Sequence, residues 1–286
     1  MPKAKSKKDE LLQTPIPVER HDLSNGRWYT PVDEWWFEHY SEDTPKIYKR
    51  SSTTVESVVS KGYGFDKWLG NSPTYEHAME YANKRAMIGT IVHSDVEQLL
   101  LGEEIDMSMD WLDHDGKMYK RTDEMAKYLM SFIKFTEDVE YETEALEICM
   151  FDLAADNEGN QLHPWAGTAD WIVKITNKKG ISERWLVDWK TGNDYPIHQL
   201  QLTSYQMLFE SMFPDLKIDG IGCLYLKSGW RKEPNYKFKK FKFIPKTWNK
   251  VMDVSLWSEN NPVPKFRREL PLSFSLKQVQ EVKESA

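Results

Sequence analysis

Two long segments in the first half of the chain carry apolar residues at helical spacing. Within residues 72–102 the repeating apolar positions are Val92, Val96, Leu99 and Leu100. Residues three or four apart share one face of a helix, so this segment predicts an amphipathic helix with a buried stripe. Ser72 is a candidate N-cap and Gly102 a candidate end. The same pattern predicts a second helix over residues 121–138.

Beyond residue 140 the pattern changes to short apolar or alternating runs, which are typical of strands. Three strands are predicted, over residues 144–154, 165–175 and 182–191. The turn-forming stretches "DNEGN" and "TNKKG" separate them, as expected for antiparallel hairpins. A helix follows "DYP", two more strands follow it, and "PKTWNKVMDVSLWSE" predicts a closing helix. In the last strand, "YKFKKFKFI", the aromatic residues change parity, which predicts a bulge near Lys239 and Lys240.

This order of elements predicts a mixed α/β (α+β) fold, with a central mixed sheet flanked by helices. Residues 1–50 are rich in proline, tryptophan and charge, and we expect them to form an N-terminal extension held by its aromatic side chains, with a flexible beginning. The predicted core domain covers residues 51–260, and residues 261–286 are expected to be a loosely held tail.

Charge is unevenly distributed along the 286 residues. The net charge is −7, yet residues 227–250 carry +8 and the remainder carries −15. A basic segment on an acidic body is a candidate phosphate-binding surface, although lysines on a solvent-facing strand are an equally good interpretation. The candidate DNA-binding residues of this basic segment are Trp230, Arg231, Lys232, Lys237, Lys239 and Lys240.

The two cysteines, Cys149 and Cys223, lie in apolar stretches and are expected to be small core residues. Two cysteines are too few for a four-cysteine cluster, so no iron–sulfur cluster is expected within this chain. This usage favours a reducing cytoplasm. A bacterium or a phage-infected cell is the expected setting. No window of the sequence is apolar enough to predict a transmembrane span, so no membrane partner is expected.

The hairpin of residues 165–191 predicts a pair of facing carboxylates. With its turn centred on Lys179, Asp170 lies opposite Asp188, and Lys190 lies two positions beyond Asp188 on the same face. Facing like charges are destabilising, and a divalent cation with a preference for oxygen ligands, Mg²⁺ or Mn²⁺, would compensate them. The alternative is an ordinary Asp188–Lys190 ion pair with an unrelated Asp170.

Other polar residues are spaced to join that site. Two pairs lie four residues apart and so share a helix face: His93 with Glu97, and Gln201 with Tyr205. A lone helix histidine is usually structural, whereas a glutamine and a tyrosine on one face can donate hydrogen bonds to a phosphate or a base. Glu147 is either a further carboxylate of the site or, more simply, a surface strand residue.

Four motifs occur together in one order: "GTIVHSDVE", "GTADWIV", "LVDWKTG" and "QLTSY". In this order they resemble the motifs of RecB-like nucleases of the PD-(D/E)XK superfamily, over roughly residues 50–245. The upstream "KRSSTTVESVV" is similar to the segment that opens many such domains. The resemblance implies a restriction-endonuclease-like core. Two departures are a somewhat long interval between Asp170 and Asp188, and the absence of the cluster-binding cysteines of the Cas4 and AddB members.

The resemblance also implies roles for the matching residues. Lys190 would be the catalytic lysine, acting with Asp170 and Asp188. The implied metal ligands are His93, Asp170, Asp188 and the backbone carbonyl of Trp189. Gln201 and Tyr205 would orient the site and the substrate.

The expected function is therefore a metal-dependent DNA nuclease, with exonuclease action on single-stranded ends favoured by the resemblance. Replication or recombination proteins are possible partners on the same basis. Three alternatives stay open: a catalytically silent protein that binds DNA ends, a structure-specific endonuclease, and a hydrolase of a smaller phosphoester such as a nucleotide. The basic segment favours a polymeric substrate.

Overall fold

An eight-stranded mixed sheet organises the computed structural model, which describes residues 11–23 and 26–261. The strands are β1 (Val18–Leu23), β2 (Gly26–Pro31), β3 (Lys49–Ser51), β6 (Glu140–Met150), β7 (Trp165–Thr176), β8 (Ser182–Lys190), β9 (Gly220–Leu226) and β10 (Tyr236–Phe241), with a separate hairpin of β4 (Trp111–Leu112) and β5 (Met118–Tyr119). The helices are α1 (Asp33–His39), α2 (Ser52–Val55), α3 (Tyr63–Gly70), α4 (Tyr75–Leu101), α5 (Asp123–Asp138), α6 (Ile197–Met212) and α7 (Pro245–Asn260).

The strand order of the sheet is β1-β2-β3-β7-β8-β9-β10, and β6 also pairs with β7. The β3–β7 and β8–β9 pairs are parallel, while the other pairs are antiparallel. The predicted mixed α/β fold with a central sheet is therefore confirmed.

Helices cover both faces of this sheet because both faces are apolar. On one face α4 and α5 pack against Trp171, Val187 and Trp189. On the other face α2, α6 and α7 pack against Ile172 and Leu186. Neighbouring residues of β7 and β8 thus point to opposite layers, as the two-residue period of a strand requires.

The β7–β8 hairpin has the register that the sequence predicts. Trp171 lies opposite Val187, and Thr176 lies opposite Ser182, on either side of the turn at Lys179. Continuing this register by one residue brings Asp170 to the level of Asp188.

Two local predictions are wrong. The cap of α4 is Thr74, whose hydroxyl accepts from the His77 backbone N–H at 3.1 Å, and Ser72 instead donates to the carbonyl of Trp68. Gly102 does end the helix, with a φ of 86° that suits glycine.

The predicted bulge in β10 is also absent from the described residues, since β10 pairs with β9 in continuous register. Phe238 packs against the α4–α5 layer and Phe241 against the α6–α7 layer. The change of parity thus reflects a strand that contributes to two cores rather than an inserted residue.

Residues 18–51 contribute β1, β2 and β3 to the central sheet, and β3 spans the predicted boundary at residue 50. Residues 1–10 of the expected flexible beginning and residues 262–286 of the expected tail lie outside the described residues, so the domain boundaries stay predictions. Within residues 11–23 and 26–261, no helix combines the length and the apolar character needed to cross a membrane.

Candidate functional site

A cleft of about 660 Å³ brings together side chains from α4, β6, β7, β8 and α6. The residues that line it include most of those predicted for the site: His93, Glu97, Glu147, Asp170, Asp188, Lys190, Gln201 and Tyr205. They come from five separate elements, so the sheet and its flanking helices assemble the cleft.

Asp188 and Lys190 form the innermost contact of the cleft. They lie two residues apart on β8, and Lys190 Nζ is 2.6 Å from Asp188 Oδ2. Asp188 is only 2% exposed, and Cys223 Sγ donates to its Oδ2 at 3.8 Å. Burial opposes the charge of Lys190, but the carboxylates of Asp188 and Asp170 outweigh it and raise the pKa of the ammonium group. Lys190 is therefore positively charged and held at the carboxylate.

Asp170 lies beside Asp188, and a side-chain hydrogen bond joins the two carboxyl groups. The backbone N–H of Trp189 donates to Asp170 Oδ2 at 3.1 Å. Burial raises the pKa of both groups, and the charge of Asp170 raises the pKa of Asp188 further. Two buried carboxyls in contact need either a shared proton or a cation, which is the chemistry of a metal site.

His93 faces the same carboxyl from α4. Its Nδ1 is 3.4 Å from Asp170 Oδ2, its ring meets the edge of Trp189, and it has a backbone hydrogen bond with Trp189. Burial and then the nearby Lys190 ammonium lower the pKa of His93 to about 4. The imidazole is thus neutral near pH 7, the form that coordinates a metal ion.

Glu147 belongs to this cluster, so its interpretation as a surface strand residue does not hold. One ligand atom each from His93, Glu147 and Asp170 lie within 4.8 Å of one another. Burial, and then the charge of Asp170, raise the pKa of Glu147.

The backbone at Glu147 explains how the side chain enters the cleft. Its φ of 45° is the one positive value at a non-glycine residue among the residues described. Ala145 and Ile148 pack in the same core although they lie three positions apart, so the alternation of β6 is interrupted at Glu147. Such strained positions concentrate at functional sites. No periodicity in the sequence signals the interruption.

Lys190 is connected to α6 by a chain of hydrogen bonds. Its Nζ donates to Gln201 Oε1 at 3.2 Å, and Gln201 Nε2 donates to Tyr205 Oη at 3.0 Å. The Tyr205 ring packs closely on Gly167, where a Cβ atom would lie 2.4 Å from Tyr205 Cε1. The glycine of the "GTAD" motif therefore makes room for the tyrosine of the "QLTSY" motif.

The basic segment of residues 227–250 lies apart from the cleft lining. Lys237 and Lys239 form ion pairs with Asp194, at 3.0 and 2.8 Å. Lys240 lies over the ring of Trp185, and Trp230 donates to the carbonyl of Lys127. The remaining candidates, Arg231 and Lys232, are exposed in the connection between β9 and β10. The single carboxylate of Asp194 thus compensates part of the positive charge that Lys237 and Lys239 carry.

Three arginines that the sequence analysis missed line the cleft: Arg20, Arg27 and Arg85. Arg20 and Arg27 come from the β1–β2 hairpin, and Arg85 comes from the first half of α4. The dipeptide Asn25–Gly26 between two polar, alternating runs was a usable hairpin signal. Nothing in the local sequence, however, places that hairpin at the cleft.

No family model matches the sequence, and no curated protein matches it. Among solved structures, one match is the crystal structure of SSO0001, with 17% sequence identity over 47% of this chain and 56% of that chain. The chain thus spans about half the length of that matched chain. The TM-score is 0.26, which is too low to carry an argument about fold or function.

Proposed function

We propose that this protein is a nuclease that hydrolyses phosphodiester bonds in DNA with the help of Mg²⁺ or Mn²⁺. One observation carries the proposal: Asp170, Asp188, Lys190 and the His93 imidazole converge in one open cleft, with the lysine in contact with a carboxylate.

The donor set fits a divalent cation. One ligand atom each from His93, Glu147 and Asp170 lie within 4.8 Å of one another, and the ligands of an octahedral Mg²⁺ lie about 3 to 4 Å apart, so a small closure of these side chains would bring all three to one ion. Asp188, in contact with Asp170, would be the next ligand to reach the ion. A neutral imidazole beside carboxylates suits Mn²⁺ as well as Mg²⁺. When bound there, the cation would polarise a phosphoryl oxygen and lower the pKa of an attacking water.

The residues of the chain supply positioning and positive charge. Lys190 can donate to a phosphate oxygen and so stabilise the negative charge that develops there. Gln201 holds Lys190 in place, and Tyr205 in turn holds Gln201. Glu97, at the wall of the cleft one helical turn from His93, can position water through its carboxylate.

A polymeric substrate is favoured by the arginines at the cleft and by its openness to solvent. Because Arg20, Arg27 and Arg85 come from different elements, they can contact phosphates at several positions along one strand. The preference for exonuclease action on single-stranded ends, and for partners in replication or recombination, rests on the motif resemblance.

A digestion time course tests this function. Wild-type protein with Mn²⁺ should degrade 5′- or 3′-labelled single-stranded DNA, and EDTA should stop it. The label released first would give the polarity, and cutting of a circular substrate would indicate endonuclease action. Asp188→Asn and Lys190→Gln should lower the rate at least 100-fold while the circular dichroism spectrum stays native. Binding without products in the wild type would instead favour a silent DNA-binding protein.

A further inference from the structure

We propose that the β1–β2 hairpin binds the sugar–phosphate backbone of the DNA strand that is cleaved. Arg20 and Arg27 would contact the phosphates next to the one that is hydrolysed. This inference rests on the proposed nuclease function and adds a binding surface to it. The hairpin lies outside the four sequence motifs, and it shapes the cleft from the edge of the sheet.

One face of the hairpin carries both arginines. In the antiparallel register Arg20 pairs with Tyr29 and Asp22 pairs with Arg27, so these four side chains share a face. Both arginines line the cleft that holds Asp170 and Asp188. The face that bears the positive charges is therefore the face at the carboxylate cluster.

The hairpin is fixed to the core rather than free to swing. The Arg27 backbone N–H donates to Thr54 Oγ1 at 3.0 Å, and Tyr29 Oη shares a hydrogen bond with Thr168 Oγ1 at 3.1 Å. Tyr29 is 2% exposed. A guanidinium on such a support is positioned before a ligand arrives, which lowers the entropic cost of binding.

The pairing of Arg27 is compatible with binding a phosphate. Arg27 Nε donates to Asp22 Oδ1 at 2.7 Å, which orients the guanidinium plane. Two parallel N–H groups of a guanidinium can bind two oxygens of one phosphate, and the contact with Asp22 engages Nε alone. Arg20, with 3.4 Å between its Nε and Asp22 Oδ2, is more exposed than Arg27.

Arg27 also marks the path of the strand beyond the cleft. A second depression, of about 600 Å³, shares Arg27 and Thr53 with the cleft. Thr54 and Ser57 line it together with Asp22, and hydroxyl side chains are common partners of phosphate oxygens. The two depressions form one groove with Arg27 at their junction, which suits a strand that continues past the cleaved phosphate.

The negative charge of the cleft would repel a DNA strand, so binding requires additional positive charge nearby. Four carboxyl groups line the cleft, from Glu97, Glu147, Asp170 and Asp188. A polyanion entering this cleft needs positive charge beyond the metal position. The lysines of β10 are not among the residues that line the cleft, whereas Arg20 and Arg27, which share the one carboxylate of Asp22, lie at the cleft itself.

The test compares wild-type protein with Arg20→Gln/Arg27→Gln by fluorescence anisotropy, using a fluorescein-labelled 20-nucleotide oligo(dT) in EDTA, where cleavage stops. We expect the affinity to fall about tenfold for each arginine lost. The slope of log K against log salt should become shallower by about 0.7 for each lost phosphate contact. A matched control, Lys178→Gln/Lys179→Gln, removes two exposed charges at the far β7–β8 turn and should leave both values unchanged.

Thermal melting checks that the variants fold. The single variant Arg20→Gln keeps the half-buried Arg27 in place and should show half of the change in salt-dependence slope that the double variant shows. With Mn²⁺ present, the double variant should raise KM and leave kcat within about threefold. If the double variant melts normally and has the affinity and the salt-dependence slope of the wild type, the hairpin does not bind the strand. That result would leave the nuclease proposal standing. A wild-type protein that neither binds nor cuts DNA would overturn both.

Discussion

Lys190, whose ammonium group touches the buried carboxylate of Asp188, is the most informative residue to change. Lys190→Met keeps an unbranched side chain of similar length but removes the ammonium group 2.6 Å from Asp188 Oδ2. Asp188 is 2% exposed and already has Asp170 beside it, so water from the cleft can replace only part of the lost charge compensation.

The magnitude of the loss follows from the protonation of Asp188. Without Lys190, the pKa of Asp188 rises further above its unfolded value of 3.8, because the ammonium group that opposes burial and the charge of Asp170 is gone. One pKa unit is 1.36 kcal/mol, so keeping the carboxyl protonated at pH 7.5 costs about 5 kcal/mol, and this cost is an upper limit. Breaking a buried ion pair costs about 3–5 kcal/mol in general. We expect a loss of that size at pH 7.5.

The loss of stability in Lys190→Met should depend on pH in a defined direction. A carboxyl whose folded pKa lies above its unfolded value binds its proton in the folded state first, so the stability of the variant falls as pH rises above 3.8. At pH 5.5 the upper limit on the cost of keeping Asp188 protonated has fallen to about 2 kcal/mol. The difference in the free energy of unfolding between wild type and variant should therefore become smaller on acidification.

Urea unfolding in EDTA at pH 7.5 and pH 5.5 measures these values. The control is Lys134→Met, which breaks an exposed pair with Asp138 and should leave the free energy of unfolding nearly unchanged at either pH. If Lys190→Met costs no more than the control, or if the gap widens at pH 5.5, Lys190 does not compensate Asp188 and the argument for a cation-dependent carboxylate cluster fails.

Three further predictions concern other parts of the structure. Gly167→Ala should lower the free energy of unfolding by about 1–3 kcal/mol and slow cleavage, because its Cβ would lie 2.4 Å from Tyr205 Cε1. The control in urea unfolding is Gly64→Ala on α3, which has open space around it and should not lower the stability. Burial opposes the charge of Asp152, but its hydrogen bonds outweigh burial and lower its pKa to about 2. Asp152→Asn should therefore lower the free energy of unfolding by about 1–2 kcal/mol at pH 7. In an acid titration, the difference in stability between wild type and variant should shrink between about pH 4 and pH 2. Mn²⁺ at 100 times its Kd should stabilise the wild type by about 2.7 kcal/mol in thermal melts, and a Glu147→Gln protein with an unchanged Mn²⁺ titration would remove that residue from the site.

Local periodicity was sufficient for much of the fold and for the centre of the site. The two-residue period of a strand and the position of one turn placed Asp170 opposite Asp188 and Lys190 beside it. Helical spacing likewise placed Gln201 and Tyr205 on one face of α6. These relations depend on residues close in sequence, where backbone geometry leaves few alternatives.

Other contributions to the site depended on long-range packing. Glu147 enters the cleft only because the backbone of β6 turns to a positive φ, which strand propensity does not predict. Asp194 compensates Lys237 and Lys239 from a loop more than 40 residues away, so the charge of the basic segment does not measure what a ligand would meet.

The sequence by itself determined the mixed α/β architecture, the β7–β8 register and the Asp170, Asp188 and Lys190 cluster. The tertiary structure decided that Arg20 and Arg27 join it, because the pairing of β3 with β7 brings the β1–β2 hairpin to the cleft across more than 100 residues of chain. Pairing between distant strands is selected by the packing of the whole core, and no local pattern records it.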